Sequence, residues 1–183
     1  QVETRRLVRV FALVGGAENM SQAPFVVRGA RSGLSLGEHK FEDYLWESLT
    51  DSYCGCPMAV TAENLAKQYG GTREQIDAYA LRSQQTARAA QEAGVLAEEI
   101  VPVEIKDRKG RVSQIAQDEG IRETSLEALA KLPARFVENG VVTAGNASGI
   151  NDAGAALVLT TGATARERGL TPLARIVSWG IVG

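Results

Sequence analysis

The side chains with the greatest chemical reactivity are two cysteines and one histidine. Cys54 and Cys56 flank Gly55, and His39 lies in a polar stretch that begins at Gly37. A cysteine attacks as a thiolate, which usually needs a lowered pKa and a neighbouring base. His39 is the one histidine that could supply that base, and we expect it to be a solvated loop residue. The spacing of the cysteines is too short for an ordinary disulfide scaffold and favours a reducing compartment.

A second candidate for chemistry is the stretch from Val142 to Asp152. It lacks bulky side chains over several positions, which lets backbone or ligand come close, while Asn146, Ser148 and Asn151 offer polar contacts. This composition suits a slot for a slender amide-bearing chain. A tight strand-to-helix turn with Asn and Asp caps explains the same residues equally well, so the residues alone leave both interpretations open.

A third stretch runs from Gly15 to Pro24 and consists of small and turn-forming residues. Gly15 and Gly16 predict a tight turn after the apolar run Val8 to Val14, and the following residues, as far as Gly37, predict a loop. A plain connector is the favoured interpretation, and a ligand-contacting loop is the alternative.

Composition narrows the class of protein. The chain has 183 residues, of which 44% are hydrophobic and 23% charged, and its net charge is -2. This is a globular composition without the positive field that would attract nucleic acid or an anionic membrane. No stretch reaches the roughly 18 apolar residues of a membrane span, so we expect a soluble chain. The reducing compartment that the cysteines favour makes the cytoplasm the expected location, with an organelle matrix as the alternative.

The elements that must position these residues differ between the ends and the middle. The ends predict buried strands and the middle predicts helices, so the middle resembles an insertion between strands of one layer. We predict strands near residues 11–15, 141–144, 156–161 and 172–179, the last within the run from Pro172 to Val182, and a short helix over 163–169.

The middle of the chain carries clear helix signals. Capping boxes at 72–75 and 124–127 predict two helix starts, and Gly94 and Pro133 the corresponding ends. The long helix bears a face of mostly small residues. We also predict a short helix within 38–50, whose aromatic face is expected to join the core, with a ligand cage as the alternative. Further predictions are a helix over 61–69, an edge strand over 98–105 and a charged turn around Gly110.

Four stretches closely resemble the thiolase family in their order and spacing: Gly15–Pro24, Pro57–Asn64, Val142–Asp152 and Pro172–Trp179. The resemblance implies a partial thiolase-like layered α/β core with a mainly helical insertion. The core would comprise residues 1–16 and 139–183, with 172–183 entering the C-terminal half. Residues 17–138 would form the loop domain that covers coenzyme A. Members of the family condense or cleave 3-ketoacyl thioesters.

The resemblance also implies a set of coenzyme A contacts. Arg122 would offer a cation to the nucleotide end, Phe136 an apolar wall, and Ser148 a hydroxyl to a pantetheine amide. As alternatives, Leu49 and Ile150 belong to the core and Arg122 to a surface ion pair. No cofactor or metal is implied, because coenzyme A or acyl-CoA is the substrate. The implied contacts are Leu49, Met58, Arg122, Phe136, Ala144, Ser148 and Ile150.

The family's catalytic groups are expected outside this chain. By the resemblance, the nucleophilic cysteine precedes the strand at Ala12, and the catalytic histidine and second cysteine follow Trp179. His39 matches no catalytic position. Pro57 stands where some members carry a histidine, and the Asp-Ala-Gly-Ala order at Asp152 departs from the more usual Asp-Gly-Ala-Ala.

The resulting hypothesis is a thiolase-like acyltransferase fragment that retains its coenzyme A-binding elements and is inactive alone. The alternative is a non-enzymatic partner that assembles with itself or with a full-length thiolase. A third reading is a fragment of a broken thiolase gene that does not fold independently.

Overall fold

The computed structural model describes residues 11–181, which divide into two compact units. One unit contains residues 11–19 and 152–181, and the other contains residues 20–151. Residues 1–10, which include the first part of the predicted core and the start of the first apolar run, lie outside the described residues. The last two residues of the predicted core also lie outside them. The assignment of residues 17–138 to a domain that covers coenzyme A stays a prediction.

Strands and helices alternate irregularly along the described chain. The strands are β1 (Phe11–Asn19), β2 (Phe25–Val26), β3 (Glu42–Asp43), β4 (Thr50–Asp51), β5 (Cys56–Pro57), β6 (Val103–Lys106), β7 (Val112–Ile115) and β8 (Asp152–Thr160). The helices are α1 (Tyr44–Ser48), α2 (Met58–Tyr69), α3 (Arg73–Glu92), α4 (Leu126–Ala130) and α5 (Gly162–Glu167). Short 3₁₀ turns occupy Met20–Gln22, Ala30–Ser32 and Leu96–Glu98.

β1 and β8 form an antiparallel pair, with Phe11 opposite Thr160 and Asn19 opposite Asp152. The strand predicted near 156–161 is therefore present but begins earlier, at Asp152. No helix starts at Asp152, so the interpretation of this residue as a helix cap is wrong.

The tight turn predicted at Gly15 and Gly16 is also wrong. Both glycines lie inside β1, opposite Ala156 and Ala155. Gly15 is needed for close approach between the strands, because a Cβ at this position would collide with the carbonyl oxygen of Ala155. Glycine is needed at position 15 because it has no side chain, not because the backbone forms a turn there.

The strand predicted near 141–144 is replaced by an irregular segment. Thr143 forms an isolated bridge with Ala134. The N–H groups of Val141 and Val142 donate to the Glu63 carboxylate at 2.9 and 2.8 Å. Since a side chain accepts these donors, they cannot join a strand ladder.

The strand predicted at 172–179 is not formed either. The described part of this segment, up to Ile181, runs without regular structure. Its apolar side chains remain exposed, with Leu173 at 101% and Val177 at 79% of full exposure. Among residues 11–181, no strand pairs with it, so its apolar pattern alone does not produce a ladder.

The predicted start of α3 is confirmed in detail. Gln75 N–H donates to the Thr72 hydroxyl at 3.3 Å, and Thr72 N–H donates to the Gln75 side-chain oxygen at 3.0 Å. The helix ends at Glu92, and Gly94 adopts a φ of 78°. Such a left-handed residue is the usual helix stop.

The predicted start of α4 is displaced by one residue. Ser125, not Thr124, caps the helix, and its hydroxyl accepts from Ala128 N–H at 3.2 Å. A hydrogen bond between the Ser125 side chain and the Glu127 carboxylate also lowers the pKa of that carboxyl. The other helices agree with the predictions except in length, since α1 is shorter and α2 begins at Met58.

β6 and β7 form a hairpin. The first strand begins at Val103, after Pro102, because proline has no N–H to donate to a ladder. The charged turn predicted around Gly110 is confirmed, and the Asp107 carboxylate accepts from the N–H groups of Lys109 and Arg111 at 2.8 and 2.9 Å. No helix among residues 11–181 is both long and apolar enough to span a membrane.

The buried part of residues 20–151 mixes apolar and polar side chains. Leu129 is 2% exposed and Thr143 is 0% exposed. Glu63 and Asp77 are also buried although both are acidic. Burial of charged groups requires hydrogen-bond partners, and both acids have such partners among residues 20–151.

Candidate functional site

A cavity of about 1020 Å³ opens within residues 20–151. Its wall brings together distant parts of that unit, from Asp43 to Asn151. Met58, although predicted for the same site, does not line the cavity, but its N–H donates to the Leu49 carbonyl at 2.9 Å. Six of the seven predicted positions line it: Leu49, Arg122, Phe136, Ala144, Ser148 and Ile150.

The face of small residues on α3 forms one wall. Ile76, Tyr79, Ala80 and Ser83 all line the cavity. Their spacing of three and four residues places them on one side of the helix. Because Ala80 and Ser83 are small, the face leaves room for a ligand beside the helix.

Two aromatic rings form an apolar wall. Trp46, from α1, stacks on Phe136 with ring centroids 6.4 Å apart and an interplanar angle of 12°. The expectation that the aromatic face of this helix joins the core is wrong, because Trp46 is 45% and Tyr44 51% exposed. Asp43 fixes the start of the helix by accepting from Leu45 N–H at 3.0 Å.

The floor of the cavity is the segment 143–149, and Asn146 holds its first turn. The Asn146 side-chain oxygen accepts from Thr143 N–H at 2.8 Å. Its amide nitrogen donates to the Val141 carbonyl at 2.8 Å and to the Asp77 carboxylate at 2.9 Å. One side chain therefore closes the turn with two hydrogen bonds and connects it to Asp77 on α3 with a third.

Asp77 connects the floor to α4. Its other carboxylate oxygen accepts from Arg73 Nε at 2.7 Å. Arg73 in turn donates to the carbonyls of Leu129 and Leu132 at 2.7 and 3.0 Å. The bond to Leu129, which lies in the last turn of α4, gives that helix end a cationic partner, which a helix end favours.

Glycine makes close packing against α4 possible. A Cβ at Gly145 would lie 2.5 Å from Leu129 Cδ2 and 2.6 Å from Leu132 Cδ1. A Cβ at Gly140 would collide with the Glu63 carboxylate. Gly140 and Gly145 are therefore required by packing, whatever the cavity holds.

Arg122 is positioned at the mouth of the cavity. Its N–H donates to the Gln84 side-chain oxygen at 2.8 Å, and its Nη2 donates to the Ala144 carbonyl at 3.4 Å. The residue is exposed and has no carboxylate partner among the described salt bridges. Its remaining guanidinium donors can meet an anionic group such as a phosphate.

The cysteines and the histidine form no nucleophile–base pair. Hydrogen bonding with the Cys56 thiol raises the pKa of the Cys54 thiol, which disfavours a thiolate there. His39 Nε2 lies 2.9 Å from the Ser35 carbonyl, on an exposed loop. Within residues 11–181 no cluster of three or more His, Cys, Asp or Glu residues is arranged to hold a metal ion.

The sequence profile of the family described as "Thiolase, N-terminal domain" matches residues 9–163. The chain belongs to the thiolase family. It is 45% identical over 172 residues to mouse mitochondrial 3-ketoacyl-CoA thiolase, covering 93% of this chain and 43% of the mouse protein. It is 49% identical over 173 residues to acetyl-CoA acetyltransferase of Rhizobium meliloti strain 1021, covering 93% and 44%.

A solved thiolase structure has the same fold. The crystal structure of human mitochondrial 3-ketoacyl-CoA thiolase in complex with CoA matches with a TM-score of 0.79 and 46% identity. That match covers 89% of this chain and 40% of the human chain. The described residues therefore adopt a mixed α/β thiolase fold, and the chain spans about two fifths of the length of its thiolase relatives.

Sequence reasoning missed the roles of two buried acids, Glu63, which holds the N–H groups of Val141 and Val142, and Asp77, which holds Asn146 in the cavity floor. Asp77 lies four residues after Arg73, a spacing that usually indicates an exposed helix pair. Its position next to Ile76, on the side of α3 that carries the small residues, was the available signal. An acid there needs a buried partner.

Proposed function

We propose that this chain binds coenzyme A or its acyl thioester in the 1020 Å³ cavity, as part of a thiolase-family acyltransferase. The single observation that carries the proposal is geometric. Six positions implied by the thiolase resemblance, from Leu49 to Ile150, line one cavity although a hundred residues of sequence separate them. The complex of the human relative with CoA supports the same ligand class.

The chemistry of the walls suits the parts of such a ligand. Arg122 would bind the phosphates of the nucleotide end, because its guanidinium is exposed and free of carboxylates in the described structure. The slot between Ser83 and Ser148 would hold the pantetheine chain, whose amides need polar partners along a narrow path. Trp46 and Phe136 would cover its apolar segments.

Calorimetric titration with coenzyme A tests this assignment. Arg122→Ala should weaken binding by about 1.5–3 kcal/mol, the range for a hydrogen bond to a charged group, and Ser148→Ala by less. Arg108→Ala, which removes the same charge from the β6–β7 turn, is the matched control and should bind as the parent chain does. Equal affinity for all three variants and the parent, or no binding by the parent, would refute the site.

Acyl transfer by this chain alone is not expected. The reaction needs a thiolate, a base and an oxyanion-stabilising pair of donors. Cys54 has a raised pKa and His39 is bound to a loop carbonyl, so neither supplies the first two. Loss of a nucleophile and base that act together costs on the order of 10⁶ in turnover.

The test is incubation of the purified chain with acetoacetyl-CoA and coenzyme A while the enolate absorbance is followed. No decay above the buffer rate is expected for the parent chain, Cys54→Ser or Cys56→Ser. A decay that disappears in either serine variant would identify a working nucleophile in the Cys-Gly-Cys turn and overturn the proposal.

Assembly with a thiolase-type chain is the second candidate function. The observation that favours it is the exposure of apolar side chains on β1 and β8, where Leu13 (78% exposed) and its register partner Val158 (67%) share one face, and Leu157 (64%) lies on the other. Apolar groups exposed side by side commonly mark an interaction surface. Light scattering after gel filtration should show a homo-oligomer, or a complex with an added full-length thiolase. A monomer under both conditions would exclude this function.

A further inference from the structure

The two cysteines lie at the tip of a small hairpin formed by β4 and β5. Asp51 is opposite Cys56 in the strand register. The Asp51 side chain accepts from the N–H groups of Tyr53 and Cys54 at 2.7 and 3.3 Å, and its carbonyl accepts from Gly55 N–H at 2.8 Å. Gly55 has a φ of 70°, which permits the sharp reversal between the cysteines.

This turn brings the two sulfur atoms together. Cys54 Sγ and Cys56 Sγ are 3.1 Å apart. A disulfide bond measures about 2.05 Å, so the atoms need to approach by about 1 Å to form one. Cys54 is exposed and Cys56 is partly buried, with its sulfur 3.7 Å from the Thr61 hydroxyl. A reagent from solution therefore meets Cys54 first.

Neither a metal site nor an acyl-transfer site explains this arrangement. A soft metal ion bound by protein alone usually takes more than two ligands, and no third ligand joins these cysteines among the described residues. Acyl transfer lacks a base. Two adjacent thiols on an exposed turn are, however, the arrangement required for thiol–disulfide exchange, and exposed or strained disulfides are the readily reversible ones.

We propose that Cys54 and Cys56 form a dithiol site that reduces low-molecular-weight disulfides and closes to an intramolecular disulfide. In the fraction of chains in which Cys54 Sγ is a thiolate, it attacks one sulfur of the disulfide RSSR, forms a mixed disulfide and releases RS⁻. Because hydrogen bonding with Cys56 raises the pKa of this thiol, that fraction, and with it the rate of the step, grows as pH rises. Cys56 Sγ, as the thiolate, then attacks Cys54 Sγ and releases the second RS⁻. The two thiol protons pass through water to the two RS⁻ groups, so the chain loses two electrons and RSSR becomes two RSH.

This site is independent of the proposed coenzyme A binding, and it is tested with oxidised glutathione and the full chain. After reaction and alkylation, trypsin should release the peptide Phe41–Lys67, which contains both cysteines and no internal lysine or arginine. We expect this peptide to have lost two hydrogens, with two glutathiones released per chain, and to regain them with dithiothreitol. Accumulation of glutathione on both cysteines, or of chains linked by disulfides, would overturn the proposal.

Single variants separate the two steps. Cys56→Ser should stop at one stable glutathione adduct on Cys54, and Cys54→Ser should react more slowly because Cys56 is less exposed. Ser52→Ala, in the same turn, is the control and should close as the parent chain does. A stable adduct on the parent chain, or equally fast reaction of both serine variants, would contradict the order of attack.

The contribution of the turn is tested with a matched pair. Asp51→Ala removes the side-chain acceptor of two turn N–H groups, whereas Asp51→Asn keeps an acceptor oxygen in the same place. We expect Asp51→Ala to accumulate several-fold more mixed disulfide during the reaction and Asp51→Asn to resemble the parent. Equal ring closure in Asp51→Ala and the parent would show that the hairpin does not bring the sulfurs together.

Discussion

The β1–β8 pair and the segment 141–146 achieve order by opposite means. β1 and β8 are joined by a regular main-chain ladder while side chains such as Leu13 and Val158 stay exposed. In segment 141–146 the ladder is missing, yet Thr143 is completely buried and side chains hold the backbone. In this chain, buried side chains can therefore hold the backbone where no regular secondary structure does.

Substitutions in these two regions should differ in their effect on stability. The cavity floor depends on a few buried side chains of α2 and α3, so loss of one of them leaves a buried donor or acceptor without its partner. A ladder of main-chain bonds depends little on any exposed side chain. Matched substitutions in the two regions test this difference.

The largest effect is expected for Asp77→Ala, which removes the acceptor shared by Arg73 and Asn146. Breaking a buried ion pair from one side typically costs about 3–5 kcal/mol in unfolding free energy. Urea denaturation followed by circular dichroism measures it. Gln85→Ala, at an exposed position of the same helix, should change stability by at most about 0.5 kcal/mol. Equal stability of the two variants would remove the claim that buried polar groups hold the floor.

A matched glycine pair gives the next effect. Gly145→Ala forces a Cβ against Leu129 and Leu132, and overpacking of this kind costs about 1–3 kcal/mol. Gly154→Ala, in β8, meets no atom within 4 Å and should leave the unfolding free energy unchanged or slightly raised. Thermal unfolding of both variants beside the parent distinguishes them, and a reversed order would contradict the comparison.

Trp46→Ala should have a smaller effect. It removes the stacking on Phe136, and an aromatic pair contributes about 0.5–1.5 kcal/mol beyond its buried area. Trp179→Ala removes a ring that is 85% exposed and should have little effect on stability. If both tryptophan variants unfold at the same urea concentration as the parent, the aromatic wall is not a packed element.

The smallest effect concerns acid titration of the β6–β7 turn. The Arg111 N–H, the Arg111 side chain and the Lys109 N–H all lower the pKa of Asp107. Its folded pKa thus lies below the roughly 3.9 of an unfolded aspartate, so its stabilisation is complete above that pH and is lost as pH falls through the folded value. Carboxyl carbon chemical shifts should titrate with a midpoint below about 3.9. Asp107→Asn should abolish the accompanying amide shifts at Lys109 and Arg111.

Local signals in the sequence predicted the helices and the charged turn at Gly110 well, whereas the pair Gly15 and Gly16 wrongly predicted a tight turn. The Thr72 and Gln75 capping pair, the stop at Gly94 and the turn at Gly110 each depend on residues close together in the chain, and all three are present. The one-residue displacement at Ser125 arises because Thr124 and Ser125 are both good caps by residue type, and serine is the somewhat better of the two. Which of the two residues caps α4 depends on the residue at which the helix begins.

Long-range contacts could not be predicted in this way. Composition indicated a narrow slot near Asn146, but its contact with Asp77 spans 69 residues and the contact of Glu63 with Val141 spans 78. An apolar pattern wrongly predicted a strand where a side chain accepts the main-chain N–H groups, as Glu63 does for Val142. The resemblance to thiolases located the cavity positions, because it carried long-range information that spacing alone lacks.

The anchoring of Val141 and Val142 by Glu63 has a consequence for the order of folding. A contact between residues 78 positions apart closes a long chain loop, whose entropy must be lost before the contact stabilises anything. α2 and α3 can form first from local contacts, and the floor can only dock onto them afterwards. Substitutions at Glu63 should then accelerate unfolding while leaving the refolding rate nearly constant. A chain emerging from the ribosome would carry an unfinished cavity until residue 142 is free to fold back.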